Sequence, residues 1–137
     1  MSDLTIRALT EQDYHHTLCV WWKQWGWTPP PIDFLPDGGK GGIMVMDADT
    51  PICAGFMYLT NSKVAWVDWI ISNKEYRLKG KRKKALLELI NCLTQMCKVS
   101  GSSYSYALIK HQSLVNLYKE AGYTEGDSYS SEMIKKL

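Results

Sequence analysis

Apolar and polar positions along the chain switch between two periods, and the switches predict the elements. Leu4-Thr-Ile-Arg-Ala-Leu9 alternates as a first strand. Thr10 has the side chain of a helix N-cap and Glu11 and Asp13 put acid in the first turn. Tyr14, Leu18, Trp21 or Trp22 and Trp25 then mark one buried helical face, which Gly26 ends. The stretch 27–39 carries Pro29, Pro30, Pro31 and Pro36 and reads as a stiff connector in which any helix must be short. Gly42–Met46 and Ile52–Leu59 predict a hairpin, and Asn61-Ser-Lys63 turns the chain into the strand Val64–Ile71. Leu86, Leu89, Ile90, Leu93, Met96 and Cys97 form one face of a long helix that Ser100-Gly101 breaks. Ser103–Ile109 reads as a further strand. A helix from about His111 buries Leu114, Leu117, Tyr118 and Ala121 before Gly122 stops it. Tyr123 through Tyr129 to Ile134 reads as a last strand or hairpin. Strands on either side of intervening helices imply an α/β sandwich with a mixed sheet.

Charge changes the picture at one place. Residues 74–84 hold seven Lys/Arg and one Glu, a local +6 in a chain whose net charge is +2. The run follows the strand Val64–Ile71 and contains Gly80, so a strand feeds a basic, glycine-containing loop into a helix start. Free N–H groups of a first turn and the helix dipole favour a phosphate there. The alternatives are a solvated helix start and a nucleic-acid patch in which clustered Lys/Arg neutralise backbone phosphates.

Composition sets the remaining bounds. The 137 residues suit a single domain, 1–137, and an apolar content of 45% argues for a folded globular chain. No apolar run approaches the ~20 residues of a membrane-spanning helix, and the N-terminus lacks a signal peptide's basic start and apolar core. Cys19, Cys53, Cys92 and Cys97 form no Cys-x-x-Cys pair and read as reduced thiols of a cytoplasmic protein. His15 and His16 have no partners at ligand spacing, so no metal site is expected. No Gly-x-Ser-x-Gly elbow or Cys/His pairing points to covalent catalysis.

Arg77-Leu78-Lys79-Gly80-Lys81-Arg82 resembles the pyrophosphate loop, Gln/Arg-x-x-Gly-x-Gly/Ala, of the GNAT N-acetyltransferase superfamily. It departs at Arg82, where the family has a small residue. His111-Gln-Ser-Leu114-Val-Asn-Leu-Tyr118-Lys-Glu-Ala-Gly122-Tyr123 is similar to a second family stretch and keeps its Tyr, its Gly and an aromatic, with His111 and Leu114 replacing Asn and Ala. Trp21-Trp22, Gly26-Trp27, Leu35-Pro36, Ala54-Gly55-Phe56 and Thr60-Asn61-Ser62 more narrowly resemble small phage- and prophage-borne GNAT-like proteins. The resemblance implies a three-layer α/β sandwich around a mixed, largely antiparallel sheet, with acetyl-CoA as acyl donor. It implies that main-chain groups of Ile70, Ile71 and Ser72 hold pantetheine and that the loop from Arg77 through Lys83 holds the phosphates. Arg82 then either adds charge from outside the loop or crowds it. His111 would bond pantetheine in place of Asn, or sit exposed at a helix start.

Tyr118, at the family's leaving-group position, is the candidate acid for the departing thiolate; the alternative is a core aromatic. Asp68 is an oddity in an apolar strand, since an unpaired buried carboxylate is costly and burial raises its pKa toward the range of a base. By strand alternation it shares a face with Trp66, Ile70 and Ser72. Its alternative role is a structural hydrogen bond to an indole or a loop amide. Trp27 and Phe34, with Trp66, are candidate walls of an acceptor pocket that, with Asp33, Asp37 or Asp68 near, would suit a cationic amine. The alternative is that several of these rings fill core, and Trp22 and Trp25 are expected to point inward. The function this implies is direct acetyl transfer to a primary amine of a small molecule or protein. The alternative is a GNAT-fold binding module that contacts a host protein or nucleic acid. No membrane partner is expected, nucleic acid is the weaker of the partner readings, and the oligomeric state, homodimer included, stays open.

Overall fold

The computed structural model describes residues 4–129 and 131–137, and the side chain of Lys79 also lies outside the described residues. Five strands form one sheet in the order β1 (Leu4–Ala8), β2 (Gly42–Asp47), β3 (Thr50–Leu59), β4 (Val64–Ser72) and β5 (Tyr104–Tyr106). All neighbours are antiparallel except β4 and β5, which run parallel. Helix α1 runs through Glu11–Asp13, a π-helical turn at Tyr14–Leu18, and Cys19–Gln24. Helices α2 (Lys79–Val99) and α3 (Gln112–Glu120) follow β4 and β5. None of the described helices is long and apolar enough to cross a membrane.

The sheet separates two cores. On one face Val45, Val67 and Cys53 pack with Leu89, Ile90 and Leu93 of α2 and with Leu117 and Tyr118 of α3. On the other, Met44, Ala54, Phe56 and Ile71 pack with Leu18, Trp21 and Trp22 of α1 and Leu35 of the connector. The result is a three-layer α/β sandwich around an open, mostly antiparallel sheet. The helix signals act as read: Thr10 caps α1 in a reciprocal box with Asp13, whose carboxylate also takes two hydrogen bonds from Arg7, at 2.7 and 2.9 Å. The connector contains only two 3₁₀ turns, Ile32–Phe34 and Pro36–Gly39.

Expectations at two places, the chain beyond α2 and strand β4, need correction. The stretch after Tyr123 forms no strand among the described residues, and β5 covers only Tyr104–Tyr106 of the predicted Ser103–Ile109. The Tyr123 hydroxyl hydrogen-bonds both Thr94 and Ser105, which ties the chain to α2 and β5 just after Gly122 (φ 98°). A three-residue edge strand offers little ladder for another strand to join.

The second correction concerns β4. Phe56 pairs with Asp68 but Ala54 pairs with Ile71, so β4 carries an extra residue, and Trp69 sits at φ 56°. Such a bulge inverts the alternation of the strand. Before it, Ala65 and Val67 face α2; after it, Trp69 and Ile71 face α1 while Ile70 packs on the α2 side. Ile70 therefore does not share the Asp68 face. Gly55 makes room opposite the bulge: a Cβ there would lie 2.5 Å from Ile70 Cδ1 and 2.9 Å from Leu93 Cδ1.

Candidate active site at the edge of β4

β5 pairs with β4 only at Val64–Trp66. Beyond Trp66 the edge of β4 has no strand beside it among the described residues, and two side chains from elsewhere in the chain reach it. Tyr118, 3% exposed, donates its hydroxyl proton to the Val67 carbonyl at 2.8 Å. Trp25 donates from Nε1 to the Ser72 carbonyl, also at 2.8 Å. Of the three β4 residues named for pantetheine, Ser72 thus has its carbonyl occupied from within the chain. Ile70 and Ile71 make no main-chain bond toward β5 among the described residues.

Asp68 lies next to Val67 and faces the opposite side of the sheet from Tyr118. Its Oδ1 accepts the Trp69 N–H at 2.8 Å, the main-chain amide partner that a structural role would require. Burial pushes its carboxyl up to about 6, partly offset by main-chain hydrogen bonds from Trp69 and Leu108, with Glu132 adding a further upward push. Burial also drives the Tyr118 phenol well above its ordinary range, with Asp68 and Tyr123 contributing. A carboxylate near neutrality and a phenol that keeps its proton therefore flank one peptide of β4.

On the α1 side Asp68 opens into a cavity of about 320 Å³ lined by Phe34, Tyr58, Trp66 and Trp69, among others. Phe34 and Trp66, two of the three residues expected around an acceptor, are part of this lining. Trp27 is not: it stacks on Trp25 at 6.3 Å and on His111 at 5.4 Å, outside that lining. His111 is the exposed N-cap residue of α3. Trp22 is fully buried, as expected, whereas Trp25 is only half-buried, with the Lys74 ammonium 5.1 Å from its ring. Tyr58 and Trp69 complete the wall and escaped the sequence reading. Cross-strand pairing of Tyr58 with Trp66 places the first. No local signal shows the bulge that brings the second round.

The basic loop ends at the N-terminus of α2. Leu78 is the N-cap residue and, among the described residues, no side chain caps the first-turn N–H groups. Gly80 sits in the first turn with open space where a Cβ would be. Arg77 and Leu78 are exposed, and Arg77 makes no side-chain hydrogen bond or ion pair among the described residues. Other cations are committed. Lys81 pairs with Asp47 at 2.9 Å, and Arg82 bonds the Tyr76 carbonyl at 3.2 Å. Tyr76 and then Lys81 hold the Asp47 carboxyl below its usual range. Lys83 lies 3.4 Å from Glu120, an exposed pair of small energetic consequence. Arg82 and Lys83 also line a cavity of about 350 Å³ between α2 and α3, with Ser113, Asn116 and Leu117.

No protein-family model matches the sequence, and neither does any curated protein. Solved structures do. One is glucosamine-6-phosphate N-acetyltransferase from Arabidopsis thaliana, TM-score 0.66 at 13% identity, covering 96% of this chain and 99% of that one. Another is the aminoglycoside N-acetyltransferase AAC(6′)-Iy, in complex with a CoA-containing bisubstrate analogue, TM-score 0.66 at 15% identity, covering 98% and 100%. A third is an acetyltransferase of Trypanosoma brucei, TM-score 0.64 at 15% identity, covering 96% and 100%.

Proposed function

On the premise that this chain has the fold of the GNAT N-acetyltransferases, we propose that it transfers an acetyl group from acetyl-CoA to a primary amine. The observation that carries this reading is the placement of Asp68 and Tyr118 on opposite faces of the bare β4 edge, at adjoining residues Val67 and Asp68.

The residues present fit the donor. The uncapped first turn around Gly80, with Arg77, supplies main-chain donors and charge for a diphosphate. The cavity between α2 and α3 adds Ser113 and Asn116, and Lys83 can serve there only by leaving Glu120, which shares the lining. Ile70 offers main-chain groups on the open edge for an amide-bearing arm, whereas Ile71 pairs with Ala54 of β3. Bound acetyl-CoA supplies an activated acyl group as a thioester. Asp68, ionised above about 6, takes the proton that the ammonium or the attacking amine must lose. Tyr118 retains a phenolic proton to give to a leaving thiolate, after exchanging its bond to the Val67 carbonyl. The β4 bulge orients Asp68 and Trp69 toward the same cavity.

One observation favours a second reading, a GNAT-fold binding module with weak use of CoA: Lys81 and Arg82 turn into the chain instead of facing the loop. Calorimetric titration with acetyl-CoA at two salt concentrations separates the two. Micromolar binding that weakens with added salt is the expected result. Absence of binding, or binding without thiol release in the presence of a panel of amines, refutes the transferase and leaves the module.

A further inference from the structure

The cavity in front of Asp68 has a chemistry of its own, and its walls narrow the class of acceptor. Phe34, Tyr58, Trp66 and Trp69 supply aromatic surface, and Asp68 is the one carboxylic acid among the described lining residues. No Lys, Arg or His belongs to that lining. The rings are braced. Phe34 meets Trp69 edge to face with centroids 6.1 Å apart, and Trp69 meets buried Trp22 in the same way at 6.0 Å. Trp66 rests on Tyr106 at 4.5 Å, and Tyr58 donates its hydroxyl proton to the Phe34 carbonyl at 3.1 Å. Rings held this way lose little freedom when a ligand enters.

Three consequences follow from that wall. An ammonium finds both a carboxylate and the negative faces of aromatic rings. A phosphate or carboxylate on the ligand finds no cation and would be desolvated unpaired. A second ammonium carried into the cavity finds no second acid in the lining, since Glu132 acts on Asp68 only from outside it. At about 320 Å³ the space, open to solvent on one side, is large enough to take a small amine.

We propose that this cavity is the acceptor subsite for a monocationic amine with an apolar body, an aralkylamine or alkylamine, whose ammonium sits against Asp68 between the Trp66 and Trp69 rings. The assignment rests on the transferase reading for what happens next, but binding itself does not require a donor.

The test is therefore made on the full chain without acyl-CoA, by calorimetry and by quenching of tryptophan fluorescence. The probes are 2-phenylethylamine, its N,N,N-trimethyl derivative, 3-phenylpropionate and glucosamine 6-phosphate. Saturable binding of both phenylethyl cations, at least about tenfold tighter than the propionate or the phosphate, is expected from the charge-paired cavity. Asp68→Asn keeps the side chain's shape and its bond to the Trp69 N–H, and is expected to weaken the cations about tenfold while leaving the propionate no weaker. Trp66→Leu removes one ring face and is expected to weaken the trimethyl derivative as well. Equal affinity for cation and anion, no binding of the cations, or cation binding that survives both substitutions overturns the assignment. A failed acetyl-CoA titration alongside selective cation binding would refute only the transferase reading.

Discussion

Asp68→Asn separates the energetic cost of the candidate base from its use. The Asp68 carboxyl is raised from 3.8 to about 6, chiefly because burial disfavours its charge. At 1.36 kcal/mol for each tenfold step, that rise amounts to roughly 3 kcal/mol. The sign follows from proton counts. Between pH 3.8 and about 6 the folded chain holds a proton that the unfolded chain has released, so stability falls as pH rises through this window. The cost is absent below the window and complete above it. Glu132, whose charge adds to the rise, and the Trp69 and Leu108 main-chain donors that oppose it remain in the variant. Asparagine has no charge to desolvate and can still accept the Trp69 N–H. Relative to the native chain, the variant should therefore gain on the order of 2–2.5 kcal/mol more at about pH 7.5 than at about pH 4. Urea denaturation of both proteins at both pH values, with unchanged m, measures the difference. A stability difference that does not change with pH would show that the carboxylate is not desolvated, and the basis for treating Asp68 as a base would go. A variant that is both more stable at neutral pH and unable to support transfer is the trade-off expected of a residue kept for its chemistry.

Tyr118→Phe deletes the donor to the Val67 carbonyl and should cost about 1–3 kcal/mol by leaving that acceptor unpaired. On the transferase reading it lowers kcat with little change in amine KM, whereas unchanged kcat would leave Tyr118 a core aromatic. Gly55→Ala drives a methyl group into Ile70 and Leu93 and should destabilise by about 1–3 kcal/mol. Because both contacts are side-chain ends, the denaturant midpoint should drop without a change in m, and an unchanged midpoint would mean that the space opposite the bulge is open.

Much of the fold was legible because it is written locally. Thr10 with Asp13, the positive-φ stops at Gly26, Gly101 and Gly122, and the apolar face of Leu89, Ile90 and Leu93 each depend on residues a few positions apart. Those cues mark where helices begin, end and face. Asp68, Tyr118, Phe34 and Trp66 could each be singled out as candidates from the sequence, but not their assembly. The bulge at Trp69 moves Ile70 to the other face, against the strict alternation that sequence reading assumes. Lys81 turns to Asp47, and Tyr118 reaches Val67 across 51 positions. Trp27 goes to His111 rather than to the acceptor wall. The sequence by itself thus determined the helices, their buried faces and the first four strands, since hydrophobic period and cap chemistry act within a turn or two of the chain, but not the extent of β5 or the path after Tyr123. Only the tertiary structure decided which cations remain at the loop, which aromatic rings meet, and which side of β4 each residue serves. Those outcomes depend on strand register and long-range contacts, whose free energies no short window of sequence contains.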